Sequence, residues 1–187
     1  MLHAVELSSF DLKEEYFDQA SRLHGIAHTY RVMCLCLRIG EATCMERAGF
    51  LALCAAFVHD QARQHDGYCE EHGRWAAERK LPRFAARFKR MEVNEEEMDY
   101  IRTAVIFHSL RREIRNNHPG YTVTAILKDA DALDRIRLGF DNLDPAFLRL
   151  PESETMIQYA EKLYKITMNR KMNSFAQALS KARSIYP

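Results

Sequence analysis

Nine consecutive apolar residues, Phe50 to Val58 (FLALCAAFV), run straight into His59-Asp60. Such a run is far short of the roughly 20 residues a membrane span needs. Read as a helix, it is apolar nearly all round, so other elements must surround it on every side. The run predicts a central, buried helix that delivers a histidine and a carboxylate at its end. Thr43 followed by Glu46 has the spacing of a capping box that would open this helix.

The rest of the chain favours partners of the same kind. Only 7 Gly and 5 Pro interrupt 187 residues, and long stretches without a breaker favour helices over short strands. A first helix is expected from Leu12 to about Leu23 and a second from Ile26 to Ile39, stopped by Gly40. On the second, His28, Val32, Leu35 and Ile39 share a face, so His28 follows the apolar stripe. Gln61 to Cys69 reads as a loop, and Glu70 to about Arg79 as a helix before Leu81-Pro82. Asn94 with Glu97 predicts another capped start, with Met98, Ile101, Val105 and His108 on one side.

After the turn His118-Pro119-Gly120, a helix from Thr122 to Leu138 places Leu127, Asp131, Asp134 and Leu138 along one side. Segments Glu152–Asn169 and Lys171–Ile185 supply two closing helices, and Met156, Tyr159, Leu163 and Ile166 form a core stripe. The fold class is all-α. With no repeat, linker or composition shift, residues 1–187 read as one domain, a size that suits a single core.

Charge excludes some functions. Lys and Arg total 27 against 26 Asp and Glu, a formal net charge of +1, which does not mark a nucleic-acid or membrane-surface protein. The basic stretch Arg79–Arg90 carries Phe84 and Phe88 at helical spacing and reads as a packed face with solvated charges. The beginning of the chain, MLHAVELSSFDLKEEYFD, has no basic-then-apolar signal layout. Five cysteines, with Cys34, Cys36 and Cys54 in apolar helical runs, fit buried free thiols of a reducing compartment. The expectation is a cytoplasmic protein with neither membrane nor nucleic acid as partner.

The helical reading turns His28, His59, Asp60, His108 and Asp131 inward, with His24 one turn before His28 as an equal candidate. Buried carboxylates are costly unless paired or bound to a cation. Imidazole and carboxylate donors together suit Mn, Fe, Co, Ni or Zn rather than Ca.

Taken in order, these residues resemble a family. His24-Gly-Ile-Ala-His28-Thr-Tyr-Arg31-Val32 resembles the opening His-x-x-x-His-x-x-Arg-Val of the HD superfamily. Ala55–Arg63 resembles its name-giving helix end, and Glu71-His72-Gly73-Arg74-Trp75-Ala76-Ala77 its next segment. Ile106-Phe107-His108-Ser109 fits the later histidine, and Lys128-Asp129-Ala130-Asp131-Ala132-Leu133-Asp134 the closing Asp-Ala-Asp-x-Leu-Asp. The resemblance covers roughly Ser21 to Leu138. It departs at Gln61-Ala62, where the family often has Ile-Gly, and at Ala132, where a basic residue is frequent.

The resemblance implies an HD-type helical bundle around a divalent metal held by His28, His59, Asp60 and Asp131. His72 and His108 would hold a second metal or meet phosphate. A metal there activates water and polarises a phosphoryl oxygen, the chemistry of a phosphohydrolase acting on a nucleotide or related small phosphate. Asp60 would take part in catalysis, with Glu70, Glu71 or Asp66 as proton donor or acceptor. Arg63, Arg111, Arg112 and Arg115 are placed to meet phosphate charge. A di-iron oxygenase and a non-catalytic signalling or ligand-binding domain are the alternatives, and a homodimer is left open.

Overall fold

The computed structural model describes residues 7–168 and 172–185, apart from the side chain of Phe140, and among these residues there is helix and no strand. The helices are α1 (Ile26–Ala42), α2 (Glu46–Val58), α3 (Glu71–Trp75), α4 (Leu81–Arg90), α5 (Glu95–His108), α6 (Tyr121–Leu133), α7 (Pro151–Thr155), α8 (Ile157–Thr167) and α9 (Phe175–Arg183). No described helix is long and apolar enough to cross a membrane.

α2 is the centre, as its composition requires. Every residue from Gly49 to Val58 is buried, and α1, α5 and α6 pack around it. The crossing of α1 over α2 is unusually close. A Cβ on Gly40 would lie 2.7 Å from the Gly49 Cα, and one on Gly49 would lie 2.9 Å from the Gly40 Cα. Gly40 therefore does not stop α1, contrary to the sequence expectation. The helix continues through Ala42, and this packing offsets the roughly 1 kcal/mol that Gly costs in a helix interior.

The stop lies further on. The Met45 amide donates to the Gly40 carbonyl at 2.8 Å and the Cys44 amide to that of Glu41 at 3.2 Å, with Cys44 at φ 54°. This is a Schellman ending with cysteine in the left-handed position usually held by glycine. Glu92, at φ 61°, ends α4 in the same way, with the Val93 amide donating to the Phe88 carbonyl at 3.2 Å. The capping box expected at Thr43 is absent. Its hydroxyl donates back to the carbonyls of Ile39 and Gly40, and Met45 starts α2 without a side-chain cap. The box at Asn94 is present in full, each partner bonding the other's backbone amide.

The helix expected from Leu12 to Leu23 does not form. Two short 3₁₀ turns, Leu7–Phe10 and Glu14–Tyr16, are followed by irregular chain up to α1. Long-range bonds fix this strap where a helix would need local ones. The Leu12 amide donates to the Tyr30 hydroxyl, the Asp18 amide to the Gln61 carbonyl, and the buried Lys80 ammonium to the Tyr16 carbonyl and Asp18. Leu81-Pro82 likewise fails to break the chain. α3 passes through a wide π turn, Ala76–Lys80, into α4, and Pro82 sits in a first helical turn where its missing N–H costs nothing.

α6 ends at Leu133 rather than Leu138, the remainder being a 3₁₀ turn, Asp134–Leu138. The first closing segment bends at Met156 into α7 and α8. The expected end at Asn169 and start at Lys171 lie outside the described residues. The basic helix α4 buries Phe84 and Phe88, and its Arg87 donates to the Ser9 carbonyl, in keeping with a packed face. Cys34, Cys36 and Cys54 are buried free thiols.

Candidate metal centre

Helix ends bring the polar residues together. His28 lies in the first turn of α1, His59 and Asp60 follow α2, His72 lies in α3, His108 closes α5, and Asp131 lies in the last turn of α6. Gly73 allows α3 to approach α5: a Cβ there would lie 2.5 Å from the Val105 carbonyl oxygen and 2.6 Å from Ser109 Oγ. That approach brings His72 Nε2 to 2.9 Å from His108 Nε2.

Each histidine ring is fixed through Nδ1. His59 Nδ1 donates to the Ala56 carbonyl, His72 Nδ1 to that of Cys69, and His108 Nδ1 to that of Val105, all at 2.6 Å. A carbonyl only accepts, so Nδ1 carries the hydrogen and the neutral ring presents an Nε2 lone pair. The carbonyls at Ala56 and Val105 belong to last helical turns, which lack intrahelical donors. His28 Nδ1 meets Asp134 Oδ2 at 2.7 Å instead. Arg31 pairs that buried carboxylate in two places, Nε to Oδ1 at 2.5 Å and Nη2 to Oδ2 at 2.9 Å.

Asp60 divides the inward donors into two groups. Its Oδ2 lies 3.4 Å from His28 Nε2 and 3.6 Å from His59 Nε2, and these nitrogens are 3.3 Å apart. Asp131 Oδ1 adds a fourth donor, 3.4 Å from His28 Nε2. Asp60 Oδ1 lies 3.1 Å from His72 Nε2 and 3.6 Å from His108 Nε2. Donors sharing a metal at 2.0–2.2 Å stand about 2.9–3.6 Å apart, so each triangle admits an ion within bonding distance of all its corners. His28, His59 and Asp131 also lie in mutual ligand reach, as do His59, Asp60 and His108.

The electrostatics are compatible with a bound cation. Burial and the Arg137 charge push the His28 pKa down, yet hydrogen bonds to Asp131, Asp134 and Asp60 outweigh them and raise it to about 9. Burial lowers His59 to about 3 and lowers His108, so these rings stay neutral. Burial opposes the charge on Asp60, but the imidazoles around it, the protonated His28 among them, hold its carboxyl well below the usual range. Asp131 is likewise lowered against burial, by His28 first. Without a metal, a proton on His28 partly balances these carboxylates. Asp131 has a side chain 32% exposed and marks the side open to solvent.

His24, the alternative to His28 in the sequence, meets Asp60 Oδ2 through Nδ1 at 3.0 Å and stacks edge-on against His28. Arg63 donates to Asp60 Oδ1 at 2.9 Å. Arg111 lies over the Tyr68 ring at 4.9 Å and Arg112 over the Phe107 ring at 5.2 Å, while Arg115 is exposed. Glu70 accepts from the Tyr68 hydroxyl, Asp66 accepts from Ser21 Oγ, and exposed Glu71 lies near Cys69 Sγ. None of these three carboxylates belongs to the groups in mutual ligand reach among the described residues.

The sequence puts Asp134 on the inward side of its helix without assigning it a role. Its position three residues after Asp131, on the same face, was the available signal. Arg31 stands in the opening motif, and only the fold shows that it meets Asp134. Compared with models of protein families, curated proteins and solved structures, the chain gives no match.

Proposed function

We propose that this chain is a metal-dependent phosphohydrolase of the HD type, a single helical domain acting on a nucleotide or a related small phosphate ester or anhydride. The observation that carries the reading is the convergence of four histidine Nε2 atoms and two carboxylates at ligand spacing, with each ring held at Nδ1. Outer partners of this kind are what orient metal-bound histidines.

The donors fit Mn, Fe, Co, Ni or Zn at His28, His59, Asp60 and Asp131, with His72 and His108 beside them. Such an ion supplies activation of water near neutral pH and polarisation of a phosphoryl oxygen. The protein's own part is to hold the donors ready. Neutral His59 and His108 need no deprotonation near pH 7, and the Asp60 and Asp131 charges balance one divalent cation. Asp131, at the solvent-facing edge, borders the route for substrate and water. The phosphate charge left over is assigned to the guanidinium groups of Arg111 and Arg112, three and four residues past His108 along the chain.

The test is metal analysis of protein purified without added metal, with phosphate release from a general phosphatase substrate and a nucleotide panel. The expected result is about one ion per chain and phosphate release, both lost in Asp60→Ala. Two irons with oxygen-dependent turnover and no phosphate release would favour the oxygenase. Failure to take up metal under any reconstitution would overturn the reading.

A further inference from the structure

The two halves of the centre share the Asp60 carboxylate but are not equivalent. Among the described residues Oδ2 faces imidazoles: His28 Nε2 at 3.4 Å, His59 Nε2 at 3.6 Å and His24 Nδ1 at 3.0 Å. Oδ1 faces His72 Nε2 at 3.1 Å and His108 Nε2 at 3.6 Å, and also accepts from Arg63 Nε at 2.9 Å. The same guanidinium donates through Nη1 to the Gly67 carbonyl at 3.1 Å, so the loop after Asp60 holds it in place. The His72 half therefore has a cation of its own, covalently part of the chain.

A guanidinium and a divalent ion sharing one carboxylate oxygen repel each other at close range in a buried setting, where water screens poorly. Asp60 Oδ1 has lone pairs for both, so the conflict is one of charge more than of space. On the His28 side no described guanidinium bonds the Asp60 oxygen; Arg137 there meets His24 Nδ1 at 3.3 Å and Asp134 at 3.7 Å instead, and Asp131 adds a second negative ligand.

We propose that Arg63 stands in for a second metal: it keeps the His72–His108 half free of a tightly bound ion, so that the resting centre holds one. On this account Arg63 is a metal-excluding positioning residue, and the sequence assignment to phosphate binding is secondary. Neutralising the side chain converts the centre to two ions without altering any ligand. The inference rests on the metal-centre reading above, and its test separates the two.

Mn²⁺ is titrated into the metal-free wild type, Arg63→Met and Arg63→Met/His72→Ala, with bound metal counted by equilibrium dialysis and the spin state read by electron paramagnetic resonance. The expected wild-type result is one tight Mn²⁺ with the spectrum of an isolated ion. In Arg63→Met a second Mn²⁺ binds about 100-fold more tightly than in the wild type, within the range of site-to-site coupling, and gives an exchange-coupled spectrum. Adding His72→Ala returns the count to one.

Two tight, coupled ions in the wild type would overturn the inference while leaving the metal centre standing. That outcome stands whether or not the variants fold. A single ion in folded Arg63→Met would overturn it as well. Absence of Mn²⁺ binding in all three proteins would overturn the metal centre and this inference together.

Discussion

Asp134→Asn is a near-isosteric change with consequences for both stability and metal binding. The carboxylate is buried and accepts three hydrogen bonds, two from Arg31 and one from His28 Nδ1. An asparagine there offers one oxygen and one NH₂ group. If the oxygen turns to Arg31, the NH₂ faces His28 Nδ1, which must become an acceptor. The ring then carries its hydrogen on Nε2, the atom aimed at Asp60 and Asp131, and cannot ligate. If the oxygen turns to His28, it keeps the Arg31 Nη2 bond, but the NH₂ opposes Arg31 Nε and the buried guanidinium loses its counter-charge. Breaking a buried pair costs about 3–5 kcal/mol, and one retained hydrogen bond places the loss near the lower end.

For a chain of this size, a loss of about 3 kcal/mol lowers the melting temperature of the metal-free protein by roughly 6–12 °C. Loss of the ring's outer partner weakens metal binding by about 10–100-fold, equal to about 1.4–2.7 kcal/mol. Calorimetric Mn²⁺ titration and thermal unfolding separate the two effects. Arg31→Met is the control: it removes the ion pair but leaves the carboxylate on His28, so stability falls while metal affinity stays within about threefold. A folded Asp134→Asn protein that binds Mn²⁺ as tightly as the wild type would refute the reasoning.

Four further outcomes are expected. Metal uptake near neutral pH displaces the His28 proton, so affinity rises by about tenfold per pH unit up to the His28 pKa of about 9 and then levels, as titrations across pH and in buffers of different ionisation enthalpy would show. In the metal-free protein the His28 contribution to stability is complete below about pH 6.5 and is lost as pH rises through 9. That of His59, lowered to about 3, is lost as pH falls from 6.5 towards 3, so these two groups place the metal-free stability maximum near pH 6.5. Gly73→Ala forces α3 about 1 Å away from α5, costing roughly 1–3 kcal/mol by denaturant unfolding and at least tenfold in turnover, whereas wild-type values would show that the approach is not needed. Cys44→Gly relieves a left-handed non-glycine residue at an exposed helix end and raises stability by about 0.5–1 kcal/mol in the same assay.

The parts legible in the sequence were those set by periodicity and order. The apolar run through Val58 required a buried central helix, and the inward faces of α1, α5 and α6 followed from helical spacing, so His28, His108 and Asp131 could be placed. The Asn94 capping box was readable because both halves of the motif lie within four residues. What failed depended on tertiary partners. Gly40 and Thr43 looked like a stop and a start because the α1–α2 crossing, which gives Gly40 its use, is absent from any local window. The ends of α1 and α4 carry cysteine and glutamate where glycine would have signalled a stop. Residues 12–23 looked helical by composition, yet bonds to Tyr30, Gln61 and Lys80 hold them as a strap. Within the site, the Arg31–Asp134 pair joins residues 103 positions apart, and Arg63 turns back on Asp60 instead of out to solvent.

The central claim is that these side chains form a metal centre, and anomalous diffraction from a crystal loaded with Mn²⁺ tests it most directly. The account predicts an anomalous peak about 2.0–2.2 Å from His28 Nε2, His59 Nε2 and an oxygen each of Asp60 and Asp131. A loaded crystal with no peak among these four side chains, or with its peak elsewhere on the chain, would contradict it.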